Sequence, residues 1–105
     1  MLLLAPMATW SLLTRHAKVL ACIANDPGVR LRDIAVVVGI TERSAYGIVD
    51  DLTAAGYVVK ARNGRRNHYR IQAHLPVAEC IGGFRTLGEV LAIMVDEADL
   101  ARHLA

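Results

Sequence analysis

Lys60, Arg62, Arg65, Arg66 and Arg70 fall in one short segment, and no aspartate or glutamate occurs between Asp51 and Glu79. A charge run is ordinarily just a solvated face, but surfaces that serve solubility generally mix signs, so cations without intervening acids suit the neutralisation of a polyanion. Asn63-Gly64 stands among them and is a strong two-residue hairpin signal. Lys60, Arg62, Asn63, Gly64, Arg65 and Arg66 are therefore expected around the tip of a narrow β-ribbon. Upstream, Thr41-Glu42-Arg43-Ser44-Ala45-Tyr46-Gly47 holds a second set of polar groups. The planar fork of Arg43 matches the two acceptors of guanine, Glu42 can accept from cytosine, Thr41 and Ser44 can donate to phosphate, and Tyr46 can touch a phosphate or a thymine methyl. Gly47 would permit close backbone approach. Four of these have a purely structural alternative: Thr41 as a helix cap, Glu42 as partner of the helix dipole, Arg43 in an ion pair with Glu42, Asp50 or a neighbour, and Gly47 as a tolerated cost.

Other chemistries find less support. Cys22 and Cys80 are far apart and form no CxxC, so neither a zinc ribbon nor a disulfide framework is indicated, and a reducing, cytoplasmic setting is the simpler expectation. Asp96, Asp99 and His103 could form a metal site between subunits, yet three scattered ligands without a thiolate cluster argue weakly for one. No nucleophile, base and orienting residue stand in a recognisable arrangement, so no enzyme and no cofactor are expected.

The elements that must carry these residues follow from periodicity. Thr9 is taken as the cap of a first helix running to about Asn25 and ended by Asp26-Pro27-Gly28. Two apolar stripes run along it: Trp10, Leu13, Ala17, Leu20, Ala21 and Ala24, then Leu12, His16, Val19 and Ile23. The second is expected to face a partner subunit. Val29 and Arg30 suit a very short strand. From Leu31 to Leu52 the pattern is helix, turn, helix, with Ala35 for a close crossing, Gly39 for chain reversal and Thr41 as the next cap. By periodicity alone Ile34 to Val38 could equally be a buried strand of a parallel sheet; the context favours a helix. Gly56 closes the third helix as its C′ residue. Tyr57 to Arg62 and Asn67 to Ile71 alternate as paired strands, with Tyr69 and Ile71 on one side and His68 and Arg70 on the other, giving an apolar and a basic face. Phe84 to His103 reads as a last helix with Phe84, Leu87, Leu91, Met94, Val95 and Ala98 along one face, and Gly82-Gly83 marks its start or a hinge.

The expected fold is mainly α with a small β-hairpin, in the order helix, strand, helix, helix, strand, strand, helix. Residues 1–8 are an N-terminal extension, 9–75 the domain itself and 76–105 a dimerisation helix. Its 105 residues suffice for one core, and 54% hydrophobic residues with only 5% aromatics imply small, closely packed helices with apolar surface left for a partner. Leu12, His16, Val19, Ile23, Phe84, Leu87, Leu91 and Met94 are the expected homodimer contacts. The apolar opening Met1 to Pro6 lacks a basic start and makes a poor signal peptide, and no apolar run reaches the roughly 18 residues of a membrane span.

Thr14-Arg15-His16-Ala17-Lys18-Val19-Leu20, Gly39-Ile40-Thr41-Glu42-Arg43, Gly56-Tyr57-Val58-Val59 and Gly64-Arg65-Arg66-Asn67-His68-Tyr69 together resemble small bacterial winged-helix transcriptional regulators of the broad MarR/ArsR-like kind, over about residues 9 to 95. The resemblance implies a winged helix-turn-helix homodimer that binds double-stranded DNA through its third helix and wing. Two departures stand out: Tyr46-Gly47 in mid-helix, and the acidic pair Asp50-Asp51, which leaves Thr41 to Ala54 with one positive and three negative charges. The competing expectation is a winged-helix protein-interaction module, with a metal-responsive repressor a distant third. No residue pattern identifies an effector.

Overall fold

The computed structural model describes residues 9–64 and 66–96, by backbone alone at Asn63 and Arg66. The first helix, α1, spans Arg15–Asn25, and its cap is Thr14, whose Oγ1 accepts from the Ala17 N–H at 3.1 Å. This corrects the expected start at Thr9. Ser11 donates to the Leu13 carbonyl, which bends the chain ahead of the helix and leaves Trp10 and Leu12 exposed. Val19, Leu20, Ile23 and Ala24 are all buried, so the two stripes merge into one broad face on the chain's own core.

The turn after α1 is an Asx-turn, with Asp26 Oδ1 accepting from Gly28 N–H at 3.0 Å. No strand forms at Val29 and Arg30, contrary to expectation, because Arg30 is already the cap residue of α2, Leu31–Val38. The Tyr69 N–H, donating to the Pro27 carbonyl at 2.8 Å, ties this turn to the hairpin instead. The segment that could have been a strand is helical: Ile34 and Ala35 are buried while the adjacent Val36 and Val37 are both exposed, a helical and not an alternating pattern. Gly39, at φ +80, ends α2, and the N–H groups of Gly39 and Ile40 both reach the Ala35 carbonyl.

Helix α3, Glu42–Ala54, begins at Thr41, whose Oγ1 accepts from Ser44 N–H at 3.0 Å. It ends in a Schellman motif: Gly56, at φ +83, donates to Thr53, and Tyr57 donates to Leu52. That motif aims the chain into β1, Val58–Asn63, which pairs antiparallel with β2, Arg66–Ile71. The register pairs Asn63 with Arg66, so Asn63 belongs to the ladder and the turn begins at Gly64, one residue later than the expected Asn63-Gly64. Gly64, at φ +69, supplies the positive φ of the first turn position.

Helix α4, Leu87–Leu91, is much shorter than the expected Phe84 to His103 among the described residues. Thr86 and Glu89 form a reciprocal capping box that fixes its start beyond Phe84. Gly82 and Gly83, both at positive φ, keep the preceding chain out of the helix. Residues 97–105, with Ala98, Asp99 and His103, lie outside the described residues, as do the expected extension 1–8 and Arg65. Leu87 and Leu91 join α1, α2, α3 and the inner face of the hairpin in one core that includes Val58, Tyr69 and Ile71. Among the described residues the protein is thus a mixed α/β chain of four helices and a two-stranded antiparallel hairpin, compatible with a small winged-helix fold. No helix among them is long and apolar enough to cross a membrane.

Candidate nucleic-acid interface

Helix α3 buries Ala45, Ile48, Val49 and Leu52 against α1 and α2, and this fixes what it presents outward. At roughly 100° per residue, Arg43, Gly47, Asp50 and Ala54 form the crest opposite the buried stripe. All four are exposed. Among the described residues Arg43 forms no ion pair with Glu42 or Asp50, so its fork is uncommitted. Thr41 and Ser44 are exposed but bonded to each other at the helix start: Thr41 Oγ1 donates to Ser44 Oγ at 3.0 Å while accepting the Ser44 N–H. Glu42 lies exposed in the first turn, where its charge suits the helix dipole.

On one flank of the crest α3 meets the hairpin. Tyr46, 57% exposed, lines a small crevice of about 60 Å³ with Asp50, Thr53, Lys60, Asn67 and Tyr69. Burial raises the Tyr69 phenol above its ordinary pKa, and its hydrogen bond with Asn67 acts in the opposite sense. The register corrects the expected division of the hairpin into apolar and basic faces. Residues paired directly share a face, so Lys60 and Arg62 lie on the side of Val58, Tyr69 and Ile71, whereas His68 and Arg70 lie on the other. The charges are therefore split. Val58, Tyr69 and Ile71 fill the part of the inner face over the core, and Lys60 and Arg62 continue it, exposed, toward the tip. The tip itself carries Asn63 and Gly64, followed by Arg65 and Arg66.

On the other flank α3 meets the first turn of α1. His16 Nε2 donates to Asp51 Oδ2 at 2.9 Å, joining residues 35 apart in sequence. Arg15, His16, Ser44, Gly47, Ile48 and Asp51 line an open hollow of about 520 Å³ there. No local sequence signal singles out Arg15, and nothing in the sequence pairs His16 with Asp51.

The expected dimer contacts fare unequally. Val19, Ile23, Leu87 and Leu91 are within a few per cent of complete burial in the chain's own core and have no surface left for a partner, which corrects their assignment. Leu12, His16 and Phe84 are exposed and Met94 half-buried. Both cysteines are free, and burial raises the Cys22 thiol above its ordinary pKa. Among the described residues no group of His, Cys, Asp and Glu could hold a metal ion; of Asp96, Asp99 and His103 only Asp96 is described. Neither protein-family models nor curated proteins match this chain.

Proposed function

We propose that the protein is a DNA-binding transcriptional regulator of the winged helix-turn-helix kind, acting as a homodimer on a two-fold symmetric operator. Helix α3 enters the major groove, and the hairpin contacts the phosphate backbone or the minor groove. The observation that carries this reading is the continuity of two surfaces: the exposed crest of α3, bearing Arg43, adjoins the inner face of a hairpin that ends in Lys60 and Arg62, with no acid in the hairpin itself. Helix insertion puts the N-terminal residues of α3 nearest the base edges, where Arg43 reads guanine and Ser44 donates to phosphate, the Thr41 hydroxyl proton being taken by Ser44. The wing supplies charge that α3 lacks.

A protein-interaction module is the second reading, favoured by Glu42, Asp50 and Asp51, which leave α3 net negative and exposed. Selection of bound fragments from random duplex DNA separates the two. The wild type is expected to enrich a two-fold symmetric sequence with half-sites roughly 10 bp apart, centre to centre. Arg43→Ala is expected to relax one position in each half-site, at about 1–3 kcal/mol, with little change elsewhere. Identical preferences in the two selections would remove Arg43 from the reading surface, and no enrichment by the wild type would favour the interaction module.

A further inference from the structure

Gly47 is costly where it stands. A glycine inside a helix is less favourable than alanine, and the usual compensation, close approach by another part of the chain, is missing: a Cβ built on Gly47 meets nothing within 4 Å. Gly88 shows the contrast, since a Cβ there would lie 3.1 Å from the Ala73 side chain. Gly47 has ordinary helical backbone geometry and no positive φ to justify it either. The fold gives no internal reason for this residue, so the reason is sought outside the chain.

Gly47 borders the hollow between α3 and the first turn of α1. Two other groups on its wall suit an anion. Arg15 is exposed and, among the described residues, forms no ion pair. Ser44 Oγ already accepts from Thr41, which leaves its own hydroxyl proton to donate. The one carboxylate in the hollow, Asp51, is held by the His16 imidazole at 2.9 Å, which occupies one of its oxygens. Arg15 and Ser44 thus come from two different helices onto one open concavity beside the crest.

Resting on the DNA-binding reading above, we infer that this hollow seats a backbone phosphate of the duplex, bound by Arg15 and Ser44, and that Gly47 is the bare point that lets the sugar-phosphate chain close onto α3. This is a second backbone contact, on the side of α3 away from the hairpin. Together the two would clamp the helix in the groove from both flanks.

The test compares wild type, Gly47→Ala and Arg15→Ala for thermal midpoint and for affinity to a mixed-sequence duplex from low to moderate salt. Gly47→Ala is expected to melt above the wild type, since alanine favours the helix and meets no obstacle, yet to bind about tenfold more weakly or worse. Arg15→Ala is expected to melt as the wild type does, with binding weakened severalfold and the log–log salt slope shallower by about one. Wild-type affinity in Gly47→Ala, an unchanged slope in Arg15→Ala, or a lowered midpoint in Gly47→Ala would each overturn the inference and leave the DNA reading standing. A wild type that binds no duplex at low salt would remove that reading itself, and the inference with it.

Discussion

Glu89 illustrates how a single side chain sets the boundary of an element. It accepts the Thr86 N–H at 2.8 Å, and this backbone bond, with smaller help from the Thr86 hydroxyl and Arg85, holds its carboxyl below the ordinary glutamate pKa. The folded value lies below the unfolded one, so the contribution to stability is complete above the unfolded value and is lost as pH falls through the folded value. Glu89→Gln is therefore expected to be less stable than the wild type at neutral pH, with the difference shrinking as the solution is acidified past about pH 4. Chemical denaturation at several pH values measures it; a difference constant with pH would mean that the charge plays no part in the cap. Arg43 works at the same scale for function, since the specificity assigned to it depends on one guanidinium standing uncommitted on the crest of α3.

At the scale of elements, glycines separate structural need from functional allowance. The N–H of Gly88 donates to the Ala73 carbonyl at 2.9 Å, and an added Cβ would stand 3.1 Å from the Ala73 Cβ and 3.2 Å from that carbonyl oxygen. Backbone cannot retreat as a flexible side chain does. Gly88→Ala is expected to lose about 1–3 kcal/mol to overpacking, exceeding the gain of up to about 1 kcal/mol in helix propensity. Thermal or denaturant unfolding checks this, and a stabilised variant would contradict the close approach of α4 to the chain at Ala73. The elements legible in the sequence were those whose ends are set by local chemistry: Gly39 and Thr41 between α2 and α3, and Gly56 before β1. Elsewhere the local signal misled. Thr9 reads as the cap of α1, yet Thr14 caps it, and the Ser11 hydroxyl bonds the Leu13 carbonyl in the segment between them. The apolar pattern from Phe84 onward ran straight through a start set by Thr86 and Glu89. A hairpin with Gly64 as first instead of second turn residue shifts by one position, and no local signal distinguishes the two. The split of wing charges follows from strand pairing, and the His16–Asp51 bond from packing of α1 on α3, neither of which is written in any short segment.

For the whole molecule, the core uses apolar residues that were expected to hold a second subunit. Leu91 is 1% exposed, so Leu91→Asp would unfold the chain and say nothing about assembly. Leu12, 86% exposed, precedes α1 and is the better probe. Sedimentation at micromolar concentration is expected to give a dimer for the wild type and a folded monomer for Leu12→Asp. A monomeric wild type would contradict the homodimer, and a dimeric Leu12→Asp would move its interface elsewhere.

The proposed duplex-binding surface of α3 and the hairpin can be read by a fluorescence-anisotropy titration of a labelled duplex at a series of salt concentrations. Wild-type affinity is expected to fall steeply and linearly on a log–log plot, with a slope of about −0.9 for each phosphate neutralised. The double variant Lys60→Ala, Arg62→Ala should bind more weakly, with a slope shallower by about two if both side chains meet phosphate. Absence of wild-type binding at low salt, or an affinity that does not change with salt, would mean that this surface does not hold duplex DNA.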